Sequence, residues 1–300
     1  MTFFAFLLIT GSVLLHALWH FISKSSHPTV VFFIPVSAAV VLTGLPLLLL
    51  SGIRPWELPA SVLLCVLGGG LFGVLGDIGL SYAYRFADIS QAYPMARALP
   101  VLLTALVTWL CGFGKPLTVW AAAGMGIIFA GCLWLPLANA EKLNWKAFCN
   151  KGMFGIILAA IATTGYTITD SFGIQNLLRH APEAGQLCGA GTYSCMREMT
   201  LLSGLLIYLV CFERKSLPAL PRELSRIKPY ITGLFASSAY IMILLAMAHV
   251  TNVSYVQAFR QLSLPIGVLL GVLVLKEKIS IFKLAAIGLI LSGLLTVYLG

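Results

Sequence analysis

Charged residues are scarce in this sequence. Aspartate, glutamate, lysine and arginine make up 10% of its 300 residues, whereas soluble proteins carry about 25%. Hydrophobic residues make up 59%, and the mean hydropathy is +0.97. Because a folded chain keeps a large surface, a water-soluble fold could not cover so many apolar side chains. The composition therefore excludes a soluble globular protein and predicts a polytopic membrane protein.

The motifs of several function classes are also lacking. The seven cysteines are dispersed without a CxxC spacing, so neither a structural zinc site nor a dithiol redox centre is predicted. The formal net charge is +9, but the basic residues lie mostly between apolar runs, where they serve as topology signals and contact lipid headgroups. No compact basic face for nucleic acid is present. We expect no metal, no cofactor and no nucleic-acid partner.

Long apolar runs fill most of the chain. A membrane-spanning helix needs about 20 mostly apolar residues, and ten runs meet that length: 2–23, 29–51, 59–85, 89–112, 117–137, 152–178, 187–212, 228–249, 253–275 and 280–299. The first has neither a basic n-region nor a clear cleavage site, so we interpret it as a membrane helix and not as a signal peptide.

The two halves of the chain resemble each other. Three positions recur at a distance of 162 residues (280 − 118): Thr118 with Ser280, Gly126 with Gly288 and Gly131 with Gly293. The runs before them each carry an arginine, Arg97 and Arg260. Since each half holds five helices, an odd number, the second half must enter the membrane upside down. The sequence predicts an all-α membrane fold of ten transmembrane helices in two inverted repeats, residues 1–140 and 141–300, as in many secondary transporters.

Arg97 and Arg260 are the leading candidate site residues. A charge in hydrocarbon is costly and is kept for function or for a buried partner. Pro94 and Pro100 flank Arg97, and Pro265 follows Arg260. These prolines are expected to kink or break their helices, which is tolerated only beside protein or a water-filled cavity. Two guanidiniums that face one cavity would bind a carboxylate, phosphate or phosphonate. The alternative is that each arginine pairs with an acid and never meets substrate.

Acids for such pairs lie within other apolar runs. Asp77 and Asp170 are candidates for carrying coupling protons or for serving as counter-ions, and Asp170, nearer a helix end, is interpreted as interfacial. Arg197 and Glu198 are adjacent, so their side chains point about 100° apart and need not pair with each other. The sequence leaves open whether these four residues couple transport or only form ion pairs.

Polar and aromatic side chains near the arginines complete the predicted substrate site. His16 and His20 lie four residues apart in the first run; we interpret them as a hydrogen-bonded, proton-sensing pair and not as a metal site. The other cavity candidates are Trp19, Tyr93, Tyr166, Tyr240 and Gln257. We expect the first, third, fourth, sixth, eighth and ninth runs to line the cavity.

The chain resembles the EamA family of the drug/metabolite transporter superfamily. The segment AYRFADISQAYPMARALPVLLTAL has a counterpart in AMAHVTNVSYVQAF, and residues 276–280, KEKIS, are similar to the family's G-E-[KR]-[LI]-[ST] turn, with Lys276 in place of glycine. The Tyr93-Pro94-x-x-Arg97 pattern also resembles a branch found with phosphonate-catabolism genes. The resemblance implies ten helices in two inverted halves, alternating access and efflux of amino acids or other metabolites.

The orientation is left open by the sequence. The resemblance implies that both termini are cytoplasmic. However, the loops on the side of the N-terminus hold only Arg54, Lys115 and Arg179 among the loop lysines and arginines, so the positive-inside rule places both termini outside.

These observations predict a secondary transporter that exports a small polar or amphipathic metabolite, such as an amino acid or an organic anion. We expect a monomer or homodimer in a bacterial-type inner membrane, with no enzymatic activity. The alternatives are uptake of an organophosphonate-type anion and efflux of multidrug cations. An intramembrane enzyme is a further alternative, for which only His16 and His20 offer a reactive group.

Overall fold

A computed structural model describes residues 2–24, 29–86, 89–137, 151–275 and 280–300. Within these ranges the chain forms helices and no β-strand. The helices are α1 (Phe3–Lys24), α2 (Val30–Leu50), α3 (Ala60–Phe86), α4 (Ile89–Leu110), α5 (Val119–Leu137), α6 (Lys151–His180), α7 (Gln186–Phe212), α8 (Leu220–Leu224), α9 (Ile227–Ala248), α10 (Ser254–Phe259), α11 (Ser263–Leu275) and α12 (Ile281–Leu299).

Six of these helices, α2, α3, α6, α7, α9 and α12, are long and apolar enough to cross a membrane. Shorter apolar segments lie within α1, α4 and α5. Many large apolar side chains point away from the bundle; Leu50 is 76% exposed and Val119 is 84% exposed. So broad an exposed apolar surface is suited to lipid and would promote aggregation in water. The structure confirms an all-α fold with helices suited to a membrane.

Hydroxyl side chains cap the starts of α5 and α12. Thr118 Oγ1 accepts a hydrogen bond of 3.0 Å from the N–H of Ala121 at the start of α5. Ser280 Oγ accepts one of 3.1 Å from the N–H of Lys283 at the start of α12. Each cap satisfies an N–H group that has no partner inside the helix. Thr118 and Ser280 are a matched pair of the sequence repeat, so the repeat marks the same local structure twice.

The ninth apolar run forms two helices. A 3-10 turn occupies Arg260–Leu262 between α10 and α11. Pro265 is the third residue of α11, where a backbone N–H would have no partner within the helix. The helix therefore breaks at the arginine and not at the proline, which corrects the prediction. In contrast, α4 continues through Pro94 and Pro100.

Small residues allow the long helices to approach closely. The pairs in most extensive contact are α3 with α6, α5 with α12, α2 with α7 and α1 with α9. A Cβ atom added to Gly124 would lie 2.7 Å from the carbonyl oxygen of Gly293, and one added to Gly79 would lie 2.9 Å from that of Gly155. Backbones in such contact leave no room for a side chain, so glycine is required at these crossings.

One end of the bundle is tied together by backbone hydrogen bonds. Gly114 has a φ of +78°, and its Cβ would lie 2.6 Å from the carbonyl oxygen of Thr251. The N–H of Lys115 donates to that oxygen at 2.9 Å, and Asn252 Nδ2 donates to the carbonyl of Lys115 at 3.0 Å. These bonds join the α4–α5 connection to the α9–α10 connection, and we call them the Asn252 latch.

Candidate functional site

A cavity of about 200 Å³ lies among α1, α2, α3, α4, α6, α7, α9 and the turn at Arg260. Its ionisable lining residues are His16, Asp77, Arg97, Tyr166, Arg197, Glu198, Tyr240 and Arg260. All six apolar runs that were expected to line the cavity contribute residues to its wall. However, α2 and α7 also line the cavity, which the sequence did not predict.

Arg97 reaches from α4 across to the second half of the chain. Its Nη2 donates to the backbone oxygen of Arg260 at 2.9 Å and to Ser263 Oγ at 2.8 Å, and its Nη1 lies 2.8 Å from His16 Nε2. A guanidinium has donors only, so His16 Nε2 must accept this bond and is unprotonated. Arg97 and Arg260 are thus in contact, but through the side chain of Arg97 and the main chain of Arg260.

The 3-10 turn places Arg260 in the cavity wall, where it is 5% exposed. Its Nη1 donates to Gln257 Oε1 at 3.5 Å, a long and weak hydrogen bond. Among the described residues, no carboxylate forms an ion pair with Arg260. A buried cation without a carboxylate partner is costly in hydrocarbon. Arg260 is therefore the described cation best placed to receive an anion from outside the protein.

Arg197, in contrast, is fully engaged by its neighbours. Its Nε donates to Asp170 Oδ2 at 3.1 Å, and its Nη1 donates to Glu198 Oε2 at 3.0 Å. The rings of Tyr166 and Tyr240 lie 5.1 and 4.9 Å from its guanidinium carbon, distances that favour cation–π attraction. Arg197 therefore shapes the cavity wall and its charge is already balanced.

Asp170 is not a lining residue of the cavity, but it binds Arg197 and Tyr240, which are. It is 0% exposed, and its carboxylate accepts hydrogen bonds from Arg197, from Tyr193 Oη at 2.9 Å and from Tyr240 Oη. A Cβ atom on Gly69 of α3 would overlap the carboxylate, so this glycine makes room for it. We call Asp170, Tyr193, Arg197, Glu198 and Tyr240 the Arg197 network.

One prediction about these residues was wrong, and one question that the sequence left open has an answer. Asp170 is not interfacial, because it lies inside the bundle with no exposed surface. Arg197 and Glu198 do pair, because the long guanidinium arm reaches around the helix to its neighbour's carboxylate. The sequence showed only that adjacent side chains leave the backbone in different directions.

Asp77 lines the same cavity and is not part of the network. It makes no hydrogen bond or ion pair with any residue in the described ranges, although it was a candidate counter-ion for Arg97 or Arg260. On α3 it follows Gly73 by one turn, and a Cβ on Gly73 would lie 3.0 Å from Arg197 Nη2. Asp77 is therefore a partly buried carboxylate beside the network.

The remaining candidates divide into three groups. Tyr166 and Tyr240 line the cavity, whereas Gln257 is buried behind Arg260. The side chains of Trp19, His20 and Tyr93 lie outside the described part of the structure, as do residues 276–279 of the KEKI segment.

The sequence did not reveal Ser263 or Tyr193. Ser263 donates to the carbonyl of Arg260 at 2.9 Å and accepts from Arg97; no motif distinguishes it from other serines. Tyr193 lies one helical turn before Arg197, and this spacing is the signal that could have identified it.

A second and wider cavity, of about 670 Å³, lies where α3 and α7 end and α2 begins. The two cavities are adjacent along α3, since Leu80 lines the first cavity and Ser81 lines the second. Its charged lining residues are Arg85, Glu213, Lys215 and Glu223. The Asn252 latch is made by connections at the ends of α4 and α9. The second cavity thus lies where α3 and α7 end, and the Asn252 latch lies where α4 and α9 end.

Comparison with known proteins identifies the fold without a function. No family model matches the sequence, and no curated protein matches it. A solved crystal structure, described only as that of a protein, is similar with a TM-score of 0.72 and 17% sequence identity. The similarity covers 98% of this chain and 97% of that chain. The chain therefore adopts, over almost its full length, a fold that has been observed experimentally.

Proposed function

We propose that the protein is a secondary transporter of a small anionic or zwitterionic metabolite, such as an organic acid or an amino acid. Transport proceeds by alternating access through the cavity described above, in a bacterial-type inner membrane. The proposal includes membership of the EamA family, which the sequence resembles. The observation that carries it is the buried Arg260, whose guanidinium lines the cavity and makes no ion pair with a described carboxylate.

The packing of the helices supports the proposal of two inverted repeats. If the halves are equivalent, α3 with α6 corresponds to α1 with α9, and α2 with α9 corresponds to α3 with α7. All four pairs are in contact. Two further extensive pairs, α2 with α7 and α5 with α12, join helices that would be equivalent. Exchange of the halves therefore converts each of these six contacts into another of the six or into itself, as a two-fold axis requires.

The α5–α12 crossing supports the same proposal at the level of residues. Gly124 meets Gly293, and Gly131 meets the carbonyl oxygen of Ala286. An offset of 162 residues converts the first contact into the second, because 124 + 162 is 286 and 293 − 162 is 131. This is the offset that the sequence repeat gave.

The size of the cavity favours a small metabolite over a drug. Sites for drug-sized ligands are about 300–1,000 Å³, whereas this cavity measures about 200 Å³. One observation favours the second candidate function, efflux of an organic cation: the carboxylate of Asp77 has no described partner. A transport assay with substrates of both charges separates the two.

The test is counterflow of radiolabelled substrate in proteoliposomes that contain the full chain. The panel comprises amino acids, lactate, methylphosphonate and the cation tetraphenylphosphonium. We expect an anion or zwitterion to exchange and the cation not to exchange. A protein that exchanges only the cation contradicts the proposal.

Alanine variants test the arginines. A hydrogen bond to a charged group is worth about 1.5–3 kcal/mol, so Arg260→Ala should lower counterflow by about ten- to a hundredfold. Arg97→Ala should do the same by releasing the turn that positions Arg260. Arg54→Ala is the matched control, because Arg54 is exposed and paired with Glu57. Full transport by both single variants, with intact membrane insertion, contradicts the assignment.

A further inference from the structure

The charges around the cavity cancel. Among the described residues, three guanidiniums, those of Arg97, Arg197 and Arg260, are accompanied by three carboxylates: Asp77, Asp170 and Glu198. With all six ionised and His16 neutral, the formal charge of this group is zero. Any substrate with a net charge then leaves one charge uncompensated.

An uncompensated charge inside the bundle is expensive. The effective penalty for an unpaired ion in a protein interior is several kcal/mol. An anion that binds Arg260 gains that partner but leaves the cavity with an excess of negative charge. A proton on one carboxylate restores neutrality and removes the repulsion between that carboxylate and the anion.

The contacts decide which group takes the proton. Asp170 and Glu198 would each lose an ion pair to Arg197 on protonation, at 3.1 and 3.0 Å. His16 would lose the hydrogen bond that its Nε2 accepts from Arg97, and two cations would then lie side by side. Asp77 would lose no described hydrogen bond or ion pair.

The surroundings of Asp77 also favour a neutral form when an anion is bound. From α7 it is faced by Arg197, which attracts it, and by Glu198, which repels it. Arg197 is already shared between two other carboxylates. The remaining titratable or charged groups in the cavity wall are His16 of α1, Arg97 of α4, Tyr166 of α6, Tyr240 of α9 and Arg260 of the turn, with Asp170 behind Arg197.

We infer that Asp77 binds a proton from the aqueous phase together with the anionic substrate, carries it through the conformational change and releases it on the other side. The transported unit is then electroneutral: one proton on Asp77 and one monoanion on Arg260. This inference rests on the proposed function and adds the coupling ion and its site.

The experiment uses the full chain in proteoliposomes, with lactate and methylphosphonate as probes. Two quantities are measured: counterflow without a pH gradient, and uphill uptake driven by a gradient of one pH unit with membrane voltage clamped by potassium and valinomycin. One proton per monoanion supports an about tenfold concentration ratio per pH unit. A pH-sensitive dye on the side that loses substrate should report alkalinisation when transport starts.

Asp77→Asn mimics the protonated residue and separates exchange from net coupling. We expect this variant to keep counterflow, to lose uphill uptake and dye response, and to lose the pH dependence of the exchange rate. Glu57→Gln is the matched control, because it makes the same change at a carboxylate that is 56% exposed. If Asp77→Asn does not fold, Asp77→Glu replaces it and should transport with a shifted pH dependence.

Four results would overturn the inference. Net substrate uptake by the wild type without alkalinisation on the side that loses substrate rejects proton coupling and, if counterflow is present, leaves the proposed function intact. Uphill uptake by folded Asp77→Asn at the wild-type level rejects Asp77 as the proton site. Loss of counterflow in that folded variant makes Asp77 a substrate contact instead. Absence of counterflow for the whole panel in the wild type rejects the proposed function and this inference with it.

Discussion

Replacing Asp170 tests whether the Arg197 network holds α6, α7 and α9 together. Asp170→Asn keeps the size of the side chain and removes its charge. The variant loses the ion pair of 3.1 Å to Arg197 and places an amide against the hydroxyls of Tyr193 and Tyr240. Breaking one side of a buried ion pair typically costs about 3–5 kcal/mol, because the partner charge stays buried. We therefore expect Asp170→Asn to lower the free energy of unfolding by about 3–5 kcal/mol.

The assay is reversible unfolding in mixed micelles as the fraction of denaturing detergent is raised. Glu57→Gln is the control, since it breaks the Arg54–Glu57 pair, whose side chains are 65% and 56% exposed. Exposed pairs contribute about 0–1 kcal/mol. The reasoning is refuted if Asp170→Asn destabilises the protein by no more than Glu57→Gln does.

Arg197→Gln extends the same test from a pair to a network. This variant leaves the carboxylates of both Asp170 and Glu198 without their cation. In Asp170→Asn, by comparison, Arg197 loses one carboxylate and keeps its ion pair with Glu198. The cost should therefore be larger for Arg197→Gln than for Asp170→Asn. An equal or smaller cost would mean that Glu198 contributes nothing to the network.

Two further variants test the helix crossing and the latch. Gly293→Ala places a methyl group 2.7 Å from the carbonyl oxygen of Gly124 and should cost about 1–3 kcal/mol in the same unfolding assay; Gly288→Ala is the control, because its Cβ meets nothing within 4 Å, and equal losses would contradict the crossing. Asn252→Ala removes the 3.0 Å hydrogen bond to the carbonyl of Lys115 and should speed hydrogen exchange at the Lys115 amide by up to about tenfold, whereas unchanged exchange would show that the latch does not depend on Asn252.

Hydropathy and local chemistry were sufficient for the helices. Apolar runs of about 20 residues predict spanning segments because an uninterrupted helix satisfies its own backbone in lipid. The described helices follow those runs, and Thr118 and Ser280 begin α5 and α12 as N-caps, as expected for hydroxyl residues before a helix. Local information did not show that the ninth run breaks at Arg260, since Pro265 was the stronger signal.

The sequence also named all eight of the ionisable residues that line the cavity. The charged ones stand out because a charge in an apolar run is rare for a physical reason that acts on the run alone. Which charge pairs with which depends on distances between helices, and these are not encoded in any one run. The partner of Arg197 was left open by the sequence, and its guanidinium lies between two carboxylates. Arg260 looked equivalent to Arg97 and faces the cavity without one. Asp77 and Asp170 were both candidate counter-ions, and only the packing of α3 against α6 and α7 left Asp77 without an ion pair among the described residues.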